Sequence, residues 1–120
     1  MFLEKGSFVS SGPKKETKGK PAFDILFCTP INEVAEVFTI GEQKYPSGAS
    51  GDFNWRKATG LEPVERRRYV EKLLGAALRH IDAEFNAWPD STRATIDEES
   101  GKPHLAHACA NLLMALDILS

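Results

Sequence analysis

Apolar residues recur at helical spacing in three stretches of the chain, and each stretch has its own start and stop signals. In the first, Thr29-Pro30 offers an N-cap hydroxyl followed by a proline suited to the first helical position. Ile31, Val34, Ala35 and Phe38 then form one stripe. Gly41 falls near the end of this helix, Glu42-Gln43-Lys44 can carry it to Tyr45, and Pro46 stops it. The second stretch opens at Glu62-Pro63 and is the longest. Val64, Tyr69, Val70, Leu73, Leu74, Ala77, Leu78 and Ile81 keep a wide apolar face going to about Trp88, and Pro89 ends it. Its Leu74-Gly75-Ala76-Ala77 run is small enough for a neighbouring helix to come close. The third opens at Pro103 and carries Leu105, Ala108, Cys109, Leu112, Leu113 and Leu116 on its apolar side. The side left over holds His104, His107 and Asn111, three and four residues apart and therefore stacked on adjacent turns. There is no convincing β-hairpin signal, internal repeat or heptad array. The pattern predicts an all-α fold with three main helices in a small bundle.

The remaining segments predict an arm, a short apolar approach and a long loop. Residues 1–22 are rich in Gly, Ser, Lys and Pro, with Ser10-Ser11-Gly12-Pro13 as a breaker cluster, and read as a flexible or extended arm. Residues 23–120 then form a single helical domain. It begins with Phe23, Ile25, Leu26, Phe27 and Cys28, which suit docking on the core as extended chain or a single turn. Between the first and second helices, residues 46–60 read as a loop that carries Phe53-Asn54-Trp55-Arg56-Lys57. A loop this long in a small domain is commonly functional, and Trp55 argues that it is ordered.

Composition narrows the function classes. A chain of 120 residues with 42% hydrophobic and 27% charged residues supports one globular core. A formal net charge of -2 gives no field for a polynucleotide or an anionic membrane, and no window approaches the roughly 20 apolar residues of a membrane span. Basic clusters at Lys14, Lys15, Lys18 and Lys20 and at Arg66, Arg67 and Arg68 read as a solvated tail and a solvated helix face. Two cysteines, Cys28 and Cys109, each in or beside an apolar run, read as reduced, buried thiols, and with no secretory h-region near the N-terminus the expected compartment is the cytoplasm. Three helices of this size make a thin core, which points to a homo-oligomer.

Several polar constellations remain for chemistry. Glu33 and Glu36 lie about one turn apart and can share a divalent cation such as Mg²⁺, although solvated glutamates show the same spacing. His104, His107 and Asn111 can ligate a metal, polarise phosphate oxygens or move protons, or else be bonded at the edge of the core. Arg79 can reach an anion or pair with a nearby acid, with His80 beside it. Lys44-Tyr45 with Asn54-Trp55-Arg56 combines cations for phosphate, an aromatic ring for a base and an amide for a base edge. Glu98 and Glu99 suit a helix N-terminus, and Asp97 is open between capping and the site. P-loop, dinucleotide, zinc-ribbon and Gly-x-Ser-x-Gly motifs are absent.

Taken in order, Gly19-Lys-Pro-Ala-Phe-Asp24, Glu33-Val-Ala-Glu36-Val, Gly41-Glu-Gln-Lys44-Tyr45, Asn54-Trp55-Arg56-Lys57, Leu78-Arg79-His80 and Asp97-Glu-Glu-Ser-Gly-Lys-Pro-His104-Leu-Ala-His107-Ala-Cys-Ala-Asn111 resemble the phage dATP/dGTP diphosphohydrolase N-terminal family, over about residues 18–118. The resemblance implies hydrolysis of purine deoxynucleoside triphosphates to monophosphate and pyrophosphate in an infected or lysogenic bacterial cell. It also implies kinship with the all-α MazG-like pyrophosphohydrolases, which hold Mg²⁺ with acids from two helices. Glu33 and Glu36 resemble part of the first acidic set, while His104-x-x-His107 stands where a Glu-x-x-Asp set belongs. Mg²⁺ prefers oxygen, so the exchange leaves three alternatives: a softer ion such as Mn²⁺, acids from elsewhere such as Asp97 or Asp82, or nucleotide binding or sequestration without cleavage. On this resemblance the expected catalytic set is Glu33, Glu36, His80, His104 and His107. Glu33, Glu36, Asp97 and His107 are the expected metal ligands. The purine nucleotide is expected to contact Lys44, Tyr45, Asn54, Trp55, Arg56, Arg79 and Asn111.

Overall fold

The computed structural model describes residues 12–14, 18–23, 26, 28–48, 53–87 and 92–120, with the side chain of Cys28 excepted. The named elements among the described residues are all helices, and their one β feature is an isolated antiparallel bridge between Ile96 and Pro103. Helix α1 spans Cys28–Lys44, a 3₁₀ helix spans Asn54–Gly60, α2 spans Pro63–Asn86 and α3 spans His104–Leu119. The all-α expectation holds.

Proline sets two of the starts as expected. Pro63 occupies the first turn of α2 behind an extended Glu62, and Pro103 is itself the extended residue that precedes α3. Helix α1 differs, since it begins at Cys28 and takes Pro30 inside its first turn. First-turn N–H groups have no intrahelical acceptor, so a proline anywhere in that turn costs no hydrogen bond. The expected continuation of α2 to Trp88 stops at Asn86, and Trp88 and Pro89 lie outside the described residues. Within the expected loop, residues 54–60 are less irregular than predicted, because they form the 3₁₀ helix, on which Trp55 is half-buried. Phe23 and Leu26 are exposed, so the described part of the apolar approach does not dock on the core.

The core corrects the sequence reading most sharply. Its buried side chains are Val37, Ala58, Val70, Leu73, Ala77, Ala106, Ala108, Ala110, Ala115 and Ile118, so alanine supplies the majority. Helix α3 is central. Ala115 and Ile118 join Val70, Leu73 and Ala58 in one cluster, while Ala106 and Ala110 join Val37 in another. Alanine at a helix contact lets the axes approach to the short end of the usual 8–10 Å range. The leucines expected to form the core face of α3 lie outside it instead: Leu105, Leu112, Leu113 and Leu116 are 44–65% exposed. Val64, Leu78 and Ile81 of α2 and Ile31 of α1 are exposed as well. Periodicity picks the most hydrophobic stripe, whereas close packing here selects the stripe with the smallest side chains. Cys109, expected to be a buried thiol, is exposed for the same reason.

Around α3 the four sides therefore have different fates. One meets α1, one meets α2, one carries His107, Asn111 and Met114 into a cleft, and one faces outward with its leucines.

Candidate functional site

The cleft has a volume of about 850 Å³ and is walled by the C-terminal half of α1, the 3₁₀ helix, α2, the loop at Asp97–Ser100 and α3. Its lining divides along α2. His80 faces one end together with Asp97, Ser100 and His107, while Tyr69 faces the other near Trp55 and Met114. Eleven residues of helix separate His80 from Tyr69, about 16 Å at 1.5 Å per residue.

At the polar end the three histidines meet. His80 Nδ1 lies 2.8 Å from His104 Nδ1, so one nitrogen donates and the other accepts, and both cannot hold a proton there. The His107 ring stacks on His80 with centroids 4.5 Å apart and 11° between planes. His107 Nε2 is 2.6 Å from Ser100 Oγ, which also accepts the backbone N–H of Lys102 at 3.1 Å. Asp97 Oδ2 accepts the Ser100 N–H at 3.0 Å and lies 3.7 Å from His107 Nε2. One ligand atom each from His80, Asp97 and His104 can be chosen so that all three lie within 4.8 Å of one another.

The loop that delivers Asp97 and Ser100 is fixed by backbone bonds and by α2. Asp97 N–H donates to Lys102 O at 2.9 Å and Gly101 N–H to Asp97 O at 2.8 Å. Gly101 sits at φ +73°, a conformation in which a side chain is strained. His104 N–H donates to Thr95 O, and the Glu84 carboxylate accepts the Thr95 N–H at 2.8 Å. Glu84 thus ties the chain just before the loop to the helix that carries His80.

Burial disfavours the charged forms of His80 and His107. Burial, helped by the charges of His107 and His104, holds His80 below its ordinary 6.5, against the opposing pull of Asp97. Burial likewise lowers His107, with Asp97 acting in the other direction. For Asp97 burial acts upward, but hydrogen bonds from Ser100 and the nearby histidine charges together hold the carboxyl below its ordinary 3.8. Groups whose folded pKa is depressed contribute stability above the unfolded value and lose it as pH falls through the folded one. Thermal midpoints are therefore expected to fall as pH drops below about 6.5, with a second decline below the ordinary carboxyl range. A His80→Asn, His107→Gln double variant should flatten the first decline. A midpoint that rises on acidification from pH 7 to 5.5 would contradict this arrangement.

At the aromatic end Trp55 stacks on Phe53 with centroids 6.3 Å apart and 9° between planes, and Phe38 lies tilted against it at 6.3 Å. Burial, and to a smaller extent Tyr45, pushes the Tyr69 phenol up, keeping it a neutral hydroxyl. Asn54 and Tyr45 line the same space, and Asn111 Nδ2 donates to His107 O at 2.9 Å. Lys44 reaches Glu99 at 3.6 Å and lies 5.6 Å from the Tyr45 ring centroid.

Of the residues expected from sequence, the cleft brings together Lys44, Tyr45, Asn54, Trp55, His80, Asp97, His107 and Asn111, and His104 joins through its contact with His80. It does not bring in the others. Glu36 accepts Lys102 Nζ at 3.0 Å and, like Glu33, is not part of the lining. Arg56 pairs with Asp117 at 3.3 Å, and Arg79 is exposed on α2. Sequence reasoning missed Ser100, Glu84, Phe53 and Tyr69. Ser100 was visible as part of the Asp-x-x-Ser-Gly turn, but the partnership of Glu84 with Thr95 depends on how the chain returns to α2.

A sequence model of the family described as dATP/dGTP diphosphohydrolase, N-terminal, matches residues 10–120. The chain belongs to this family. A dATP/dGTP diphosphohydrolase of Salmonella phage PMBT28 is 33% identical over 106 residues, which are 88% of this chain and 29% of the relative. The chain thus spans less than a third of the length of that family relative. No solved structure matches it. Among the described residues no helix is long and apolar enough to cross a membrane.

Proposed function

We propose that the cleft binds a purine deoxynucleoside triphosphate and hydrolyses it to the monophosphate and pyrophosphate, with a divalent ion at His80, Asp97 and His104. The observation that carries this reading is the convergence of three histidines and Asp97 at one end of a cleft whose other end is aromatic. Two imidazoles and one carboxylate suit Mn²⁺ better than Mg²⁺, which favours an oxygen shell. When bound, such an ion supplies Lewis acidity and neutralises phosphate charge.

The chain's own residues divide the remaining work. Trp55, stacked on Phe53, offers a π-face to the base, and Asn54 offers amide groups to its edge. Lys44 supplies a cation to the triphosphate by leaving its exposed partner Glu99, a separation of little energetic consequence in water. A neutral His107 with its proton on Nδ1 accepts through Nε2 and holds the Ser100 hydroxyl. If that hydroxyl turns away, the freed Nε2 lone pair can take a proton from an attacking water as a general base.

A second reading, binding or sequestration without cleavage, is favoured by the direct His80–His104 bond, because that contact ties up the Nδ1 atoms of both imidazoles. Incubating the purified chain with each deoxynucleoside triphosphate and Mg²⁺ or Mn²⁺, then resolving the products, separates the two. The enzyme reading expects Mn²⁺-stimulated release of monophosphate and pyrophosphate from dATP or dGTP. Nucleotide binding with no product under either ion would replace it with the second reading.

A further inference from the structure

The sugar of a nucleotide lies between its phosphates and its base, so a nucleotide stretched along the cleft puts its sugar against the middle of the wall. The phosphate end is at His80 and Asp97 and the base end at Trp55. Between those ends α2 and α3 line the cleft with Leu73, Ala110, Asn111 and Met114. Asn111 alone among the four carries polar side-chain atoms. It lies four residues beyond His107 and three before Met114, roughly 6 Å and 4.5 Å along the axis of α3 at 1.5 Å per residue. Met114 packs on the same cluster as Trp55, so α3 runs from the phosphate end towards the base end and passes Asn111 in between.

The amide of Asn111 is also held in one orientation. Its Nδ2 donates to His107 O at 2.9 Å, and because a carbonyl oxygen can only accept, this bond fixes which amide atom points where. Among the described residues Oδ1 has no hydrogen-bond partner, although the side chain is half-buried. The carboxylate that α1 adds to the lining is no rival acceptor, since Glu42 already takes the Ser47 N–H at 2.6 Å. The middle of the cleft therefore offers an anchored acceptor in largely apolar surroundings, and a ligand meets it best with a donor. A 2′-deoxynucleotide has one donor on its sugar, the 3′-hydroxyl. Its ionised phosphates only accept, and the amino groups of a purine lie further on, at Trp55 and Asn54.

We propose that Asn111 Oδ1 accepts the 3′-hydroxyl of the bound nucleotide, which makes a free 3′-hydroxyl a condition of tight binding. The assignment rests on the reading of the cleft as a nucleotide site. It also narrows the substrate class, because a 3′-oxygen esterified within a strand has no proton to donate, so the site takes free nucleotides rather than internal positions of a polynucleotide.

Equilibrium titration of the purified full chain, without divalent ions so that no turnover consumes the ligand, compares dATP with 2′,3′-dideoxyATP, which differ by that one hydroxyl. The parent is expected to bind dATP about tenfold more tightly, the size set by a half-buried acceptor left without its partner. Asn111→Ala should bind the two nucleotides alike, with its affinity for dideoxyATP within about twofold of the parent's. Equal binding of both nucleotides by the parent overturns the assignment and needs no variant to show it. So does an alanine variant that keeps the preference, or one that weakens both nucleotides equally, which is what a purely structural asparagine would do. Binding of neither nucleotide, with or without Mn²⁺, overturns the reading of the cleft itself and the assignment with it.

Discussion

Asp97→Asn is expected to lower nucleotide hydrolysis by about two to four orders of magnitude while leaving the thermal midpoint within a few degrees of the parent. The contrast follows from what asparagine keeps and what it loses. Its side-chain oxygen can still accept the Ser100 N–H that Asp97 accepts at 3.0 Å, so the turn up to Gly101 retains its anchor. The negative charge disappears, however, and Asp97 is the sole anionic donor in the set with His80 and His104. Mn²⁺ affinity, followed by calorimetric titration, should weaken by at least about 10–100-fold, the range seen even for groups that only support a metal ligand. His107 loses the neighbour that holds its pKa up against burial, which moves the acid limb of the rate profile to lower pH. Turnover and Mn²⁺ affinity both equal to the parent's would remove Asp97 from the chemistry and return it to loop capping alone.

That prediction rests on residues only partly legible in the sequence. His104, His107 and Asn111 were visible because helical spacing puts them on one face, and α3 forms where Pro103 announced it. The participation of His80 was not geometrically visible, since its contact with His104 bridges 24 positions and depends on how α2 crosses α3. The Glu33 and Glu36 pair shows the opposite case. Spacing correctly places both on one turn of α1, but the nearest cation for Glu36 is Lys102, sixty-six residues away in sequence, and the pair falls outside the cleft lining. Helix phase failed for a different physical reason. A hydrophobic stripe records where apolar area is greatest, and on α3 that area belongs to Leu105, Leu112 and Leu116, which face outward. The alanines that fill the interior contribute little to such a pattern, yet they set how closely the helices approach. The inward and outward faces of α3 could not be told apart without its neighbours.

Leu73→Ala is expected to cost about 2–3 kcal/mol of stability, the lower part of the 2–5 kcal/mol range for truncating a buried leucine. Three features set that figure. Leu73 is 8% exposed and is one of only a few large side chains in a core otherwise built of alanine, so its methyl groups have no substitute nearby. Its neighbours Val70, Ala115 and Ile118 lie on rigid helices, which limits collapse into the space left behind. Leu73 also borders the cleft, so water can enter part of the new volume and moderate the loss. At roughly 3–6 °C per kcal/mol for a chain of this size, the thermal midpoint should fall by about 10 °C. Leu78→Ala on the same helix, at a side chain 65% exposed, should change the stability of the isolated chain by no more than about 0.5 kcal/mol. The pair tests the phase of α2 directly, because the sequence pattern places both leucines on one apolar face and the structure separates them. The Leu73 variant should also loosen Trp55 and Tyr69, which pack on the same cluster, and so weaken nucleotide binding through the aromatic end while Mn²⁺ binding at His80, Asp97 and His104 persists. Equal destabilisation by the two substitutions would mean that α2 buries the wider face its hydrophobic pattern suggests, and with it the orientation that carries His80 into the cleft would be lost.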